Sequence, residues 1–117
     1  MAALTLGQKQ RLFTRLIGEL ISQAYAMGYE LSFGEAYRTP QQAALNAANG
    51  SGIANSLHTS RLAVDFNLFK DGVFLRSSDA HAELGAYWKL LHPDNRWGGD
   101  FSRPDGNHYS MEHRGVK

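Results

Sequence analysis

The chain has 117 residues, the size of one domain with a modest core. Its formal charge of +1 is too small for a nucleic-acid footprint, and without cysteine it can form neither a disulfide nor a thiolate metal site. No apolar run reaches the roughly 18 residues of a membrane span, and no basic stretch leads into an apolar one at the N-terminus, so the expectation is cytoplasmic synthesis without a signal peptide or stable membrane insertion.

In chain order, Thr5-Leu-Gly-Gln8 reads as a capping box. Leu12, Phe13, Leu16, Ile17, Leu20, Ile21 and Ala24 follow at helical spacing, which predicts a helix with a core-facing stripe that stops at Gly28. Tyr29 to Ala36 alternates and predicts a short strand. Thr39 as cap and Pro40 in the first turn predict a second helix to about Asn49, closed by Gly50. Asn49 to Asn55 is rich in Gly, Ser and Asn and reads as a surface loop.

Ser56 to Phe69 begins as a polar loop and ends as a strand. Period-two alternation puts Leu62, Val64, Phe66 and Leu68 on a buried face, and Ala63, Asp65 and Asn67 on the other. Asp71-Gly72 predicts a type I′ hairpin turn, with Val73 to Leu75 as the return strand. A third helix should start at Ser77 or Ser78, run through Trp88 to Leu91 and stop at Pro93. Asn95 to Asp100 and Ser102 to Gly106 read as loops, Tyr109 to Glu112 as a last strand, and Arg114 to Lys117 as a frayed tail. The sum is an α+β fold: a single compact domain over residues 1–117, with helices packed on a small, mainly antiparallel sheet.

A metal site would have to use His, Asp and Glu. His58 and Asp65 flank the loop-to-strand change, and Asp105-Gly-Asn-His108 precedes the last strand. Two histidines and a carboxylate from separated segments can hold a zinc ion and leave a fourth position for water. His81 and His92 read as exposed helix residues, and His113 as either a ligand or a tail residue.

Ser56-x-His58-x6-Asp65, with Ala63 two before the Asp, resembles the Ser-x-His-x-x-Gly-x-Ala-x-Asp signature of the zinc D-Ala-D-Ala carboxypeptidase and L-alanyl-D-glutamate endopeptidase family. Tyr37-Arg38-Thr39-Pro40-x-Gln42 resembles its upstream Tyr-Arg-Thr-Pro segment. Trp97-Gly-Gly-Asp100 followed by Asp105-x-x-His108 resembles its C-terminal zinc segment. The three blocks stand in the family's order, and the short chain looks most like the phage endolysin branch. Two departures stand out: Arg61 occupies the usual Gly position, and Glu112, four after His108, does not keep the family's His-x-Glu ending.

The resemblance implies one catalytic zinc ion on His58, Asp65 and His108, with peptide hydrolysis by zinc-activated water. It implies Asp105 as the acid/base residue, with Asp100 as its rival. Arg38 would contact the oxyanion and substrate, and Ser56 would contact substrate or orient the loop. The implied partner is bacterial peptidoglycan, cut between L-Ala and D-Glu by a monomer without a separate wall-binding domain. The enzyme would reach periplasmic peptidoglycan after membrane permeabilisation, with a phage holin giving passage. The competing expectations are a D-Ala-D-Ala carboxypeptidase or dipeptidase, and an inactive zinc-stabilised binding module.

Overall fold

The computed structural model describes residues 3–50 and 56–117; most of the predicted loop after Gly50 lies outside the described residues. Helix α1 spans Leu6–Ala26. Its capping box is formed: Thr5 Oγ1 accepts from Gln8 N–H at 3.2 Å, and Gln8 Oε1 accepts from Thr5 N–H at 2.9 Å. At the other end Gly28 takes a φ of 88°. Its N–H donates to the Tyr25 carbonyl and that of Tyr29 to the Ala24 carbonyl, so the helix closes with a Schellman motif. Phe13, Leu16, Ile17, Leu20 and Ala24 are buried.

Strand β1 is Glu30–Phe33, shorter than the predicted Tyr29 to Ala36. It ends because Gly34 and Glu35 turn out of the ladder while keeping two bonds to Asp65. Helix α2 is Pro40–Ala48, with Thr39 Oγ1 accepting from Gln42 N–H. A 3₁₀ turn at Leu57–Ser60 leads to β2, Ala63–Lys70, and β3 follows as Val73–Leu75. Asp71 and Gly72 have φ values of 52° and 77°, the left-handed pair of the predicted type I′ turn. A second 3₁₀ turn, Ser78–His81, runs into α3, Ala82–Leu91. Strands β4, Asn95–Trp97, and β5, His108–Met111, complete the sheet.

The sheet is antiparallel throughout, in the order β1-β2-β5-β4. Strand β2 is long enough to serve several neighbours. Residues 66–69 pair with β1 along one edge. Along the other, Ala63 to Asp65 pair with β5 and Leu68 to Lys70 with β3, which leaves a break between those two partners. Leu62, Val64, Phe66 and Leu68 are all buried, as their alternation predicts. They meet α1, α3, Trp88 and Tyr109 in one core, where Phe13 meets Trp88 edge-on at 5.6 Å.

Three further expectations about the elements are corrected. Asn95 to Trp97 is a strand rather than loop, held by Trp88, whose Nε1–H lies 3.0 Å from both the Arg96 and Ser110 carbonyls. The last strand begins and ends one residue earlier than predicted. The tail is turned rather than frayed: Arg114 and Gly115 both have positive φ, and His113 and Val116 exchange backbone bonds of 3.0 Å.

Candidate active site

Strand β2 presents Asp65 on the face opposite the core, and the register places it across from His108 of β5. The 3₁₀ turn then brings His58 over the same point. Ser56, 7% exposed, caps that turn by accepting the His58 N–H on Oγ at 3.2 Å. The turn closes at Arg61, whose φ of 56° and ψ of 35° are left-handed. The departure from the usual Gly therefore leaves the turn left-handed, and the Arg61 guanidinium stacks over the Tyr37 ring at 4.1 Å.

Ligand atoms of His58, Asp65 and His108 all lie within 4.8 Å of one another, and no other such group occurs among the described residues. Asp65 Oδ1 stands 3.4 Å from His58 Nε2 and 3.4 Å from His108 Nδ1. That oxygen is buried and makes no hydrogen bond, a costly state that a cation would relieve. His58 Nδ1 lies 3.4 Å from the Ala36 carbonyl oxygen. In the tautomer that donates Nδ1–H there, the Nε2 lone pair is free to ligate. Two imidazoles and one carboxylate form a three-ligand set of the kind found at catalytic zinc sites.

Electrostatics agree with this geometry. Burial works against a charge on Asp65, but His108 and His58 outweigh it and bring its carboxyl down to about 2. Burial also disfavours the His58 cation, yet Asp65, the Ala36 carbonyl and Glu35 together raise its pKa above the ordinary value.

The segment before His108 is shaped by close backbone approach. Asp105 N–H donates to the Gly98 carbonyl at 2.9 Å, and the Asp105 carbonyl accepts from His108 N–H at 3.0 Å. A Cβ on Gly98 would stand 2.1 Å from the Asp105 carbonyl oxygen and 2.8 Å from His108 Cβ. Trp97 is wedged between Gly85 and Gly99 and donates its Nε1–H to the Gly106 carbonyl at 2.7 Å. Asp105 itself is exposed at the rim.

Arg38 is tied to the turn that carries His58: its backbone N–H donates to the His58 carbonyl at 3.2 Å. Its guanidinium is paired with Glu35, while its Nε is buried and unpartnered. Glu35 Oε1 also stands 3.8 Å from His58 Nδ1. Glu35 belongs to none of the sequence motifs; its nearness to a candidate ligand depends on the turn after β1.

Other polar candidates lie elsewhere. Asp100 pairs with Lys89 at 2.7 Å on the surface, and Glu112 pairs with Arg96 at 3.2 Å rather than bracing a ligand histidine. His81 is 2% exposed, not the exposed helix residue expected. Its Nδ1 lies 2.7 Å from the Tyr109 hydroxyl, and burial lowers its pKa to about 4. His113 is outside the cluster.

A model of the D-alanyl-D-alanine carboxypeptidase family matches residues 49–111. None of the curated protein sequences matches the chain. Among solved structures, the L-Ala D-Glu endopeptidase ChiX of Serratia marcescens superposes with a TM-score of 0.69 at 22% identity, over 86% of this chain and 80% of that one. A variant of the vancomycin-resistance D,D-pentapeptidase VanY, solved with Zn(II), gives 0.56 at 18% identity, over 85% and 70%. These two likenesses concern the fold. The family match takes in more than half of the chain and includes all three ligand positions and Asp105, so this chain belongs to the D-alanyl-D-alanine carboxypeptidase family and is a zinc metallopeptidase acting on peptidoglycan.

Proposed function

We propose that this enzyme is an L-alanyl-D-glutamate endopeptidase that cuts the stem peptides of peptidoglycan. The observation that carries the reading is the grouping of His58, Asp65 and His108, with Arg38 bonded through its backbone to His58 and Asp105 bonded through its backbone to His108. The closer superposition on ChiX than on VanY supports the endopeptidase bond over the carboxypeptidase one.

His58, Asp65 and His108 would hold the ion. Zinc, when bound, lowers the pKa of a water toward about 7 and polarises a carbonyl. Asp105 takes a proton from the attacking water and returns it to the leaving nitrogen, a task that suits an exposed carboxylate beside a ligand. Arg38, paired with Glu35, supplies the guanidinium that would meet the carbonyl oxygen as negative charge develops there. Ser56 keeps His58 in place through its cap, and so would act on substrate through the loop it orients.

The test is mass spectrometry of purified peptidoglycan digested by zinc-loaded protein, with a chelated control. A metal-dependent fragment with a new D-Glu amino terminus is the expected product. Release of D-Ala alone would transfer the enzyme to the carboxypeptidase reading, which the family's own description favours. Metal-independent inertness toward both bonds would leave a zinc-stabilised binding module. The proposal extends to host lysis by an endolysin that a holin admits to the wall; failure to lyse permeabilised Gram-negative cells would remove that extension.

A further inference from the structure

The break between β3 and β5 along the edge of β2 is a cleft of about 420 Å³, large enough for part of a peptide. Phe66 and His81 form part of its buried lining, while Asp105, Asn107 and Arg76 also line it. Arg76 is its one cation: His81 is neutral at physiological pH because burial holds its pKa at about 4.

Arg76 differs from Arg38 in a way that matters. The Arg38 charge is already answered by Glu35. Arg76 is exposed, its guanidinium lies 5.3 Å from the Phe74 ring centroid, and no ion pair links it to a carboxylate of the described residues, Asp105 included. The strands that precede the two arginines also lie on opposite edges of β2. Arg38 follows β1, whereas Arg76 follows β3, with Asp65 on the strand between them.

We infer that this cleft is the leaving-group subsite, and that Arg76 binds a carboxylate on the α-carbon that carries the leaving nitrogen. The inference rests on the Asp105 role proposed above, because the group that protonates the leaving nitrogen must stand beside it. The two candidate substrates share the required chemistry. A γ-linked D-Glu keeps its α-carboxylate free next to the scissile nitrogen, and a terminal D-Ala carries its C-terminal carboxylate at the same place. A planar guanidinium suits such a group through paired hydrogen bonds.

Product analogues test this without requiring turnover. Zinc-loaded protein is titrated, by NMR, with γ-D-Glu-diaminopimelate and its α-amide, and with D-Ala and D-alaninamide. Wild type should bind one acid about 10- to 100-fold more tightly than its amide. That ratio should collapse toward one in Arg76→Gln and recover in part in Arg76→Lys. The pair showing the effect identifies the source of the carboxylate. An unchanged ratio in Arg76→Gln, or no acid preference in wild type for either pair, overturns the assignment. Cleavage of the stem tripeptide is followed separately. Cleavage at L-Ala–D-Glu without acid preference removes the subsite and keeps the endopeptidase. Acid preference without cleavage at that bond does the reverse.

Discussion

Burial raises the cost of a charge on Asp65, yet His108 and His58 hold its carboxyl at about 2 against a usual 3.8. Because the folded-state value is depressed, the stabilisation from Asp65 in zinc-free protein is complete above 3.8 and is lost as pH falls toward 2. His81 acts in a higher window. Its neutral form is favoured by burial, so its contribution is complete above 6.5 and disappears as pH falls to about 4. At ~1.4 kcal/mol per pH unit this amounts to about 3 kcal/mol. Urea unfolding of the zinc-free protein should therefore show stability rising with pH between those values, and His81→Gln should flatten the slope. An unchanged slope would place the acid sensitivity elsewhere. At the centre itself, Asp105→Asn should leave zinc stoichiometry intact and lower turnover by roughly 10²- to 10⁴-fold. His108→Ala should lose both. Metal analysis beside the rate assay separates the two cases.

Elements position these residues through close contacts. The Gly98 backbone touches the Asp105 carbonyl so tightly that even one methyl group has no room. Gly98→Ala should shift Asp105 and His108 together, weakening zinc binding at least about tenfold as a loss of ligand support does. A competition titration against a chromophoric chelator would read this, and parental affinity would show that the loop absorbs the methyl. The 3₁₀ turn poses a milder demand. Arg61 sits in the left-handed region and gains the Tyr37 stacking in return. Arg61→Val, with a branched Cβ in that conformation, should cost about 1–2 kcal/mol in thermal unfolding, and Arg61→Gly less. Equal losses in the two variants would mean that the stacking, not the backbone, dominates.

At the scale of the molecule, the ion would join three segments that the chain otherwise brings together by packing and backbone hydrogen bonds: the 3₁₀ turn, β2 and β5. Zinc binding to the folded state adds stability by mass action, about 2.7 kcal/mol at a hundred times the dissociation constant. Chelation should lower Tm by roughly 10 °C in a domain of this size. Titrating zinc back should restore Tm in proportion to the logarithm of free ion. A Tm independent of zinc would mean that the ion is not held by the folded site.

Local chemistry was legible in the chain itself. The capping box, the Thr39-Pro40 start of α2, the Asp71-Gly72 turn and the alternation from Leu62 to Leu68 are each set by neighbours a few residues away. The three candidate ligands were legible too, because their spacing carries a family pattern that the structure gathers into one group. Tertiary packing decided the rest. Strand β4 forms because Trp88 and β5 satisfy its backbone, and three residues hold no periodicity of their own. His81 is buried because Tyr109 arrives from a distant strand to meet it. Glu35 comes near His58, and Arg76 and Asp105 line one cleft, only because β2 pairs with different strands along its two edges. Contacts between residues far apart in the chain leave no spacing to read; they arise when burial of the core fixes the strand order.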